Sequence, residues 1–168
     1  IQSVVNVLKS DYLTCGPQID EAEKKLSKMV NAKYAVLMAN GTAALHAMCF
    51  AAGIASGDEV ITSPLTFAAS ANCILYCGGI PVFADINPET YNIDPKNVEK
   101  CITSKTKAVI AVDFTGQAVE LEQLRIICEK NHILLLEDSA HALGTKYNNN
   151  PIGSIADMTE FSFHPVKT

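Results

Sequence analysis

Two short stretches of the chain are apolar at every position. They lie at 108–112 and 133–136. Strands of this kind are buried on both faces, as in the parallel sheets of α/β proteins, whereas a strand with one wet face alternates apolar and polar residues. The sequence therefore predicts an α/β fold, a three-layer sandwich in which helices cover both faces of a mostly parallel central sheet.

The remainder of the chain continues this alternation of strands and helices. Strands are predicted at 34–38, 59–62, 80–83, 107–112, 133–136 and 158–163. Helical spacing of apolar residues predicts part of a helix within 1–10 and further helices at 19–30, 42–52, 67–76, 94–101 and 121–131. Asp94 and Pro95 mark one helix start, as an acidic N-cap followed by proline at the first helical position.

The composition argues against several classes of protein. The 168 residues carry a formal net charge of −5, whereas nucleic-acid-binding proteins usually present a basic face. The six cysteines form no CxxC pair and lack zinc-site spacing, so we expect reduced thiols, a cytoplasmic location and no bound metal. No apolar run is long enough to span a membrane.

In open α/β sheets, ligands bind at the carboxyl ends of the strands, so the polar residues there are the candidates for a site. Gly41, Thr42 and Ala43 open a helix directly after a predicted strand. The amide groups of such a helix start can bind an anion, most simply a phosphate. An ordinary strand-to-helix turn with Thr42 as N-cap would give the same pattern. Neither a Walker loop nor a dinucleotide fingerprint is present.

Two carboxylates, Glu137 and Asp138, follow the predicted strand at 133–136. Buried carboxylates are destabilising unless they have partners. A carboxylate here could hold a cationic ring nitrogen of a cofactor, or it could cap a helix. His141 could contact the same ring or be a core histidine.

A lysine and an aromatic residue follow two other predicted strands. Lys167 comes after the strand at 158–163 and a turn stiffened by Pro165. A desolvated lysine amine can attack an aldehyde, although a surface lysine would fit the same spacing. Phe67 follows the strand at 59–62, where it could stack on a planar ring or belong to the core.

Together these segments resemble the DegT/DnrJ/EryC1/StrS sugar aminotransferases, which are pyridoxal-phosphate (PLP) enzymes of the aspartate-aminotransferase fold. The resemblance extends through nearly the whole chain. Its motifs, in order, are Asn40-Gly-Thr-Ala-Ala-Leu45, Gly57-Asp-Glu-Val-Ile61, Thr66-Phe67, Pro81-Val-Phe83, Asp85-Ile-Asn-Pro88, Tyr91-Asn-Ile-Asp94, Thr106-Lys-Ala108, Glu137-Asp138 and Phe161-Ser-Phe-His-Pro165 with Lys167.

The resemblance implies a role for each candidate residue. Lys167 would bind the cofactor aldehyde covalently and then act as a general acid and base, and Asp138 would keep the pyridinium nitrogen protonated. The remaining cofactor contacts would be Gly41, Thr42, Ala43 and Ser162 at the phosphate, Phe67 on the ring face, and His141 near the 3-hydroxyl group.

The reaction implied is transfer of an amino group from L-glutamate to a nucleotide-linked keto-sugar, for cell-surface or flagellar glycans. A related branch that dehydrates sugars has histidine in place of Lys167. The segment Asp113-Phe-Thr-Gly116-Gln117 resembles the branch that makes UDP-4-amino-4,6-dideoxy-N-acetyl-altrosamine, a precursor of pseudaminic acid. Its substrate would be a UDP-linked 4-keto-6-deoxy-N-acetylhexosamine.

The family also implies what lies outside this sequence. Its members are roughly twice as long, so residues 1–168 are expected to hold an N-terminal segment and most of the PLP-binding large domain, without the C-terminal small domain. Part of each active site would come from a second subunit of a homodimer. Two alternatives stay open: a regulatory or binding protein with this fold but no catalysis, and a plain α/β nucleotide-binding domain without PLP.

Overall fold

A computed structural model describes residues 1–167 and divides the chain into two compact units. The first unit, Ile1–Leu37, contains helices α1 (Gln2–Leu8) and α2 (Pro17–Met29). Helix α2 begins with proline, whose missing amide proton is not needed in a first turn. Both helices were predicted from the sequence. No helix among residues 1–167 is long and apolar enough to cross a lipid bilayer.

The second unit, from Met38 onward, is built on a five-stranded sheet. Residues 1–167 form seven strands: β1 (Glu59–Thr62), β2 (Ile80–Phe83), β3 (Thr106–Val112), β4 (Leu134–Asp138), β5 (Lys146–Tyr147), β6 (Asn150–Pro151) and β7 (Met158–Glu160). The sheet has the order β2-β1-β3-β4-β7, and each neighbouring pair is parallel. Strands β5 and β6 form a separate antiparallel hairpin.

Helices cover both faces of this sheet. Ile110 of β3 packs in one core cluster with α3 (Gly41–Ala51) and α4 (Ala69–Tyr76). Its neighbour Val109 packs in the other cluster, with α5 (Pro95–Cys101) and α6 (Leu121–Asn131). Successive strand residues point to opposite faces, so an all-apolar strand belongs in such a middle layer. The predicted α/β sandwich is confirmed.

One predicted strand, at 34–38, is wrong. The segment has no regular structure, and the large side chains of Tyr34, Val36 and Met38 are exposed. The amide of Leu37 donates to the Glu23 carboxylate at 2.8 Å rather than to a strand. An apolar run becomes a strand only where a neighbour supplies a hydrogen-bonding ladder, and none of residues 1–167 pairs with this segment.

Three boundaries differ from the prediction in ways that affect the site. Strand β4 continues to Asp138, so this carboxylate belongs to the sheet rather than to the loop after it. Strand β7 ends at Glu160, which leaves Ser162 and Lys167 in the following loop. Helix α4 begins at Ala69, and Phe67 therefore lies in the turn between β1 and α4.

Candidate active site

Two buried carboxyl groups lie side by side at the carboxyl edge of the sheet. Asp138 and Glu160 occupy paired positions in the parallel strands β4 and β7. Paired residues project to the same face, which here is the face covered by α3 and α4. Asp138 is 5% exposed and Glu160 is 2% exposed. A site for cationic or proton-transferring groups is therefore built into the sheet itself.

The side chain of Asp138 is held by α4. Its Oδ2 atom accepts a 2.6 Å hydrogen bond from the Ser70 hydroxyl, and the Ser70 oxygen lies 2.7 Å from the Thr66 hydroxyl. Its Oδ1 atom accepts a 3.3 Å hydrogen bond from the Ala140 amide. No helix begins after Asp138 in the described part of the chain, so the helix-cap alternative is wrong. The bonds hold the carboxylate in one orientation at the edge of the sheet.

Glu160 is the less satisfied of the two acids. Among residues 1–167, neither of its carboxyl oxygens has a hydrogen-bond partner. Burial and then the nearby charge of Asp138 raise the pKa of Glu160 to about 8, against a smaller opposing effect of Lys167. Glu160 is therefore largely a neutral acid at pH 7.

The start of α3 lies directly against Glu160. A Cβ atom added to Gly41 would collide with the Glu160 carboxyl oxygen and lie 3.6 Å from Cβ of Ser162. Glycine is thus needed here for close approach of α3 to β7 rather than for an unusual backbone angle. This packing brings the helix start and Ser162, which is 7% exposed, to one place.

The N-cap of α3 is Asn40 rather than Thr42. The Asn40 Oδ1 atom accepts a 2.9 Å hydrogen bond from the Ala43 amide, so the alternative with a threonine cap is wrong. The Ala43 amide, one of the predicted phosphate contacts, is thereby occupied. In the described part of the chain, the first amides of the helix, at Gly41 and Thr42, have no hydrogen-bond acceptor.

Lys167 and Phe67 meet at the same pocket. The Lys167 ammonium lies 5.6 Å from the centroid of the Phe67 ring, within the range of a cation–π contact. Phe67 is 71% exposed, so the alternative in which it belongs to the core is wrong. Lys167 is partly buried, and its charge influences Glu160, which disfavours a lysine that simply points into solvent.

His141, the other predicted ring contact, lies three residues after Asp138. Its side chain is exposed, and within residues 1–167 its ring makes no hydrogen bond. Ser162 is brought into the pocket, where its hydroxyl accepts a 3.5 Å hydrogen bond from the His164 amide. The structure thus assembles Asp138, Lys167, Phe67, Ser162 and the start of α3, and it leaves His141 at the surface.

A second pair of buried carboxyl groups lies on the opposite face of the sheet. Asp113 follows β3 and accepts hydrogen bonds from the Ser139 hydroxyl at 2.6 Å and from the Val119 amide at 2.9 Å. Glu137 accepts a 2.9 Å hydrogen bond from the Thr159 hydroxyl. Burial is the main cause that raises the pKa of Asp113 to about 6 and of Glu137 to about 8. These groups form hydrogen bonds between the strand ends on the face of the sheet opposite Asp138.

A cavity of about 460 Å³ lies elsewhere, within the first unit, between α1 and the start of α2. No aspartate, glutamate, histidine, lysine or arginine lines it. Without such groups it offers little for acid–base chemistry. The candidate site is therefore the cluster of side chains at the carboxyl edge of the sheet, around Asp138, Glu160 and Lys167.

Three residues of the site were missed by sequence reasoning: Ser70, Glu160 and Asn40. Ser70 lies one helical turn beyond Phe67, and this spacing could have suggested a contact with the same ligand. Glu160 became recognisable only through the β4–β7 register, which places it beside Asp138. Asn40 was visible as a preferred N-cap residue directly before the helix.

The residues gathered at this edge of the sheet fit a cofactor such as PLP in their charges and chemical groups. The two free amides of α3 and the Ser162 hydroxyl would donate hydrogen bonds to the oxygens of a phosphate. Asp138 would pair with a protonated ring nitrogen, Lys167 would reach an aldehyde, and the exposed ring of Phe67 would stack on a planar one. The residues present therefore provide one partner for each functional end of this cofactor.

Comparison with known proteins agrees with the site. The chain is 46% identical over 167 residues to the spore coat polysaccharide biosynthesis protein SpsC of Bacillus subtilis, covering 99% of this chain and 43% of SpsC. It is 38% identical over 161 residues to the pleiotropic regulatory protein of Geobacillus stearothermophilus, covering 96% of this chain and 43% of that protein. The chain thus spans less than half the length of these curated relatives.

Solved structures give the same result. The putative sugar aminotransferase Spr1654 of Streptococcus pneumoniae superposes with a TM-score of 0.96 at 36% identity, over 99% of this chain and 46% of its own. PseC of Helicobacter pylori, an aminotransferase of pseudaminic acid biosynthesis, gives 0.91 at 37% identity, over 97% of this chain and 44% of its own. Residues 1–168 match the sequence profile of one family. The chain belongs to the DegT/DnrJ/EryC1/StrS aminotransferase family.

Proposed function

We propose that the full-length protein is a PLP-dependent aminotransferase that transfers the amino group of L-glutamate to a nucleotide-linked keto-sugar. The observation that carries the proposal is the buried Asp138, fixed by Ser70 at 2.6 Å, on the same face of the sheet as the glycine-led start of α3. PLP is the cofactor of this family, as the sequence predicted, and Spr1654 is known in PLP and PMP forms.

Each residue of the candidate site has a separate role in the proposed reaction. Asp138 holds the ring nitrogen in its protonated form, and PLP, when bound, supplies the electron sink. The amides of Gly41 and Thr42, with the Ser162 hydroxyl, hold the phosphate. Phe67 covers one face of the ring. Lys167, released from the cofactor aldehyde when the amino donor binds, would use its Nζ atom to take the proton from the donor's α-carbon as a general base and to deliver it to the C4′ carbon of the cofactor as a general acid.

For the sugar, we propose a UDP-linked 4-keto-6-deoxy-N-acetylhexosamine. The support is the segment from Asp113 to Gln117, together with the similarity to PseC. In the structure, Asp113 is tied to Ser139 close behind Asp138, so this segment is coupled to the strand that carries the site. The product would serve cell-surface or flagellar glycan synthesis.

We also propose that the working enzyme is a cytoplasmic homodimer. The six cysteines are free thiols, which suits a reducing compartment. The pocket described here is one side of an active site. Sequence outside these 168 residues and a second subunit would supply the other side, as they do in the family. The small domain would lie in that outside sequence.

The test uses the full-length protein with PLP. Wild type should develop a visible absorption band that borohydride bleaches, and Lys167→Ala should lose the band while staying folded. A panel of UDP- and dTDP-linked keto-sugars with L-glutamate should then identify the amino acceptor. Absence of the band in the wild type would contradict the proposal at its first step, and activity with dTDP-sugars alone would contradict the choice of nucleotide.

A non-catalytic regulator is the second candidate, favoured by the 38% identity to the pleiotropic regulatory protein. Both candidates would bind PLP, so binding alone does not separate them. Glutamate-dependent conversion of bound PLP to pyridoxamine phosphate would establish the transferase. Bound PLP that never reacts with glutamate or other amino acids would establish the regulator. The third interpretation, a nucleotide-binding domain without PLP, is excluded by the family membership.

A further inference from the structure

Glu160 is a buried acid that has no role in the reaction proposed above. It lies at the end of β7, beside Asp138, and its carboxyl group touches the position that a side chain at residue 41 would fill. No donor among residues 1–167 reaches either of its oxygens. A buried carboxylate without a hydrogen-bond partner is destabilising by several kcal/mol. In its neutral form Glu160 can instead donate a hydrogen bond to Asp138, which contributes to its raised pKa. Its place in the fold therefore calls for an explanation.

Charge decides which form of Glu160 is compatible with this pocket. The charged groups that act on Glu160 are Asp138 on β4, which repels an anion, and Lys167 in the loop after β7, which attracts one. On the α3 side, Glu160 faces Gly41, which has no side chain and adds no charge. On the α4 side, the uncharged Ser70 is hydrogen-bonded to Asp138 and also adds no charge. An ionised Glu160 would add a third anionic group to a site where Asp138 and a bound phosphate would already supply two.

We propose that Glu160 is a positioning residue of the cofactor pocket that acts as a neutral carboxylic acid, leaving Asp138 as the single carboxylate on this face, so that ionisation of Glu160 weakens cofactor binding. The inference rests on the proposed function, because it assumes that the pocket holds PLP. The neutral acid fills the space between β7 and α3 without repelling the phosphate.

Cofactor affinity tests this proposal through its pH profile. Pyridoxamine 5′-phosphate is the probe, because it forms no covalent bond with Lys167, and its own ionisations are common to all variants. In the full-length wild type, Kd should rise by up to about tenfold per pH unit once pH exceeds the value at which Glu160 ionises. In Glu160→Gln, which keeps the shape but cannot ionise, this additional rise of Kd with pH should vanish.

Two further variants complete this experiment. Glu137→Gln removes an equally buried acid on the opposite face and should keep the wild-type pH profile. Glu160→Thr, smaller and also unable to ionise, substitutes for Glu160→Gln if that variant does not fold. A Kd of Glu160→Gln that rises with pH as steeply as that of the wild type would overturn the proposal.

A second readout needs no cofactor. Infrared spectroscopy of the cofactor-free, full-length protein at pH 6 should show the carbonyl band of protonated carboxyl groups, and Glu160→Gln should lose part of it. If neither protein binds the probe but the band changes as expected, the proposed function fails while the protonation of Glu160 stands. An unchanged band in Glu160→Gln overturns the inference whether or not the cofactor binds.

Discussion

The hydroxyl of Ser70 in helix α4 donates a 2.6 Å hydrogen bond to the carboxylate of Asp138 at the end of β4. The two residues are 68 positions apart in the sequence and both are buried. A hydrogen bond to a charged group typically contributes about 1.5–3 kcal/mol. This contact therefore orients the one carboxylate that we assign to the ring nitrogen.

Ser70→Ala should weaken cofactor binding. Without its donor, Asp138 can rotate away from the ring nitrogen, and we expect Kd for pyridoxamine phosphate to rise at least about tenfold, equivalent to about 1.4 kcal/mol. The matched control is Ser27→Ala, which removes an exposed hydroxyl bonded to a backbone carbonyl in α2. Equal affinities for Ser70→Ala and wild type, measured by calorimetry, would show that Asp138 does not depend on this contact.

The packing of α3 against β7 gives a prediction at Gly41. A methyl group at this position would collide with the Glu160 carboxyl, and overpacking of this kind destabilises proteins by about 1–3 kcal/mol. Gly41→Ala should therefore lower the midpoint of urea unfolding. In the double variant with Glu160→Ala the obstacle is gone, so the two effects should be far from additive. Simple additivity in this cycle would mean that the two residues do not touch.

The fold was largely predictable from apolar patterning, because the uninterrupted apolar stretches in strands β3 and β4 indicate burial on both faces of the sheet. The segment at 34–38 shows where that reasoning fails. Its apolar residues satisfy the same pattern, yet a strand also needs a neighbour to pair with, and a sequence pattern does not reveal whether one is present. The hairpin of β5 and β6 was missed for the opposite reason, since strands of two residues are too short to show a period.

The site was predictable in its chemistry but not in its supporting contacts. Lys167 and Asp138 could be found because each follows an apolar strand and matches a family motif. Glu160 could not, because only the register of β4 and β7 reveals that it lies beside Asp138. The Asn40 cap could have been predicted from its residue type and position, whereas the exposed position of His141 depends on a side-chain direction that neither spacing nor resemblance determines.

Buried acids with raised pKa values should make stability depend on pH. The pKa of Glu137 rises from 4.5 to about 8 on folding, and that of Glu160 behaves alike. Between these values the folded protein holds protons that the unfolded chain releases, so the free energy of unfolding should fall as pH rises from about 5 to 8. Each group contributes a slope of up to about 1.4 kcal/mol per pH unit.

Urea unfolding of the cofactor-free protein between pH 5 and pH 8 measures that slope. Glu137→Gln and Glu160→Gln should each flatten it. Glu99→Gln, which changes an exposed acid paired with Lys130, is the control and should leave it unaltered. Stability that rises with pH over this range would show that the two acids are ionised in the folded protein.

Substitutions of Asn40, the N-cap of α3, can distinguish an effect on helix stability from an effect on phosphate binding. Asn40→Ala removes the acceptor for the Ala43 amide, and loss of such a cap typically destabilises a protein by about 1 kcal/mol. Asn40→Asp keeps the acceptor and should preserve stability, but it puts a negative charge at the helix start where we place the phosphate. Its affinity for pyridoxamine phosphate should therefore fall several-fold, whereas its affinity for pyridoxamine, which lacks the phosphate, should not. If Asn40→Asp bound both compounds like the wild type, the phosphate would have to lie away from the start of α3.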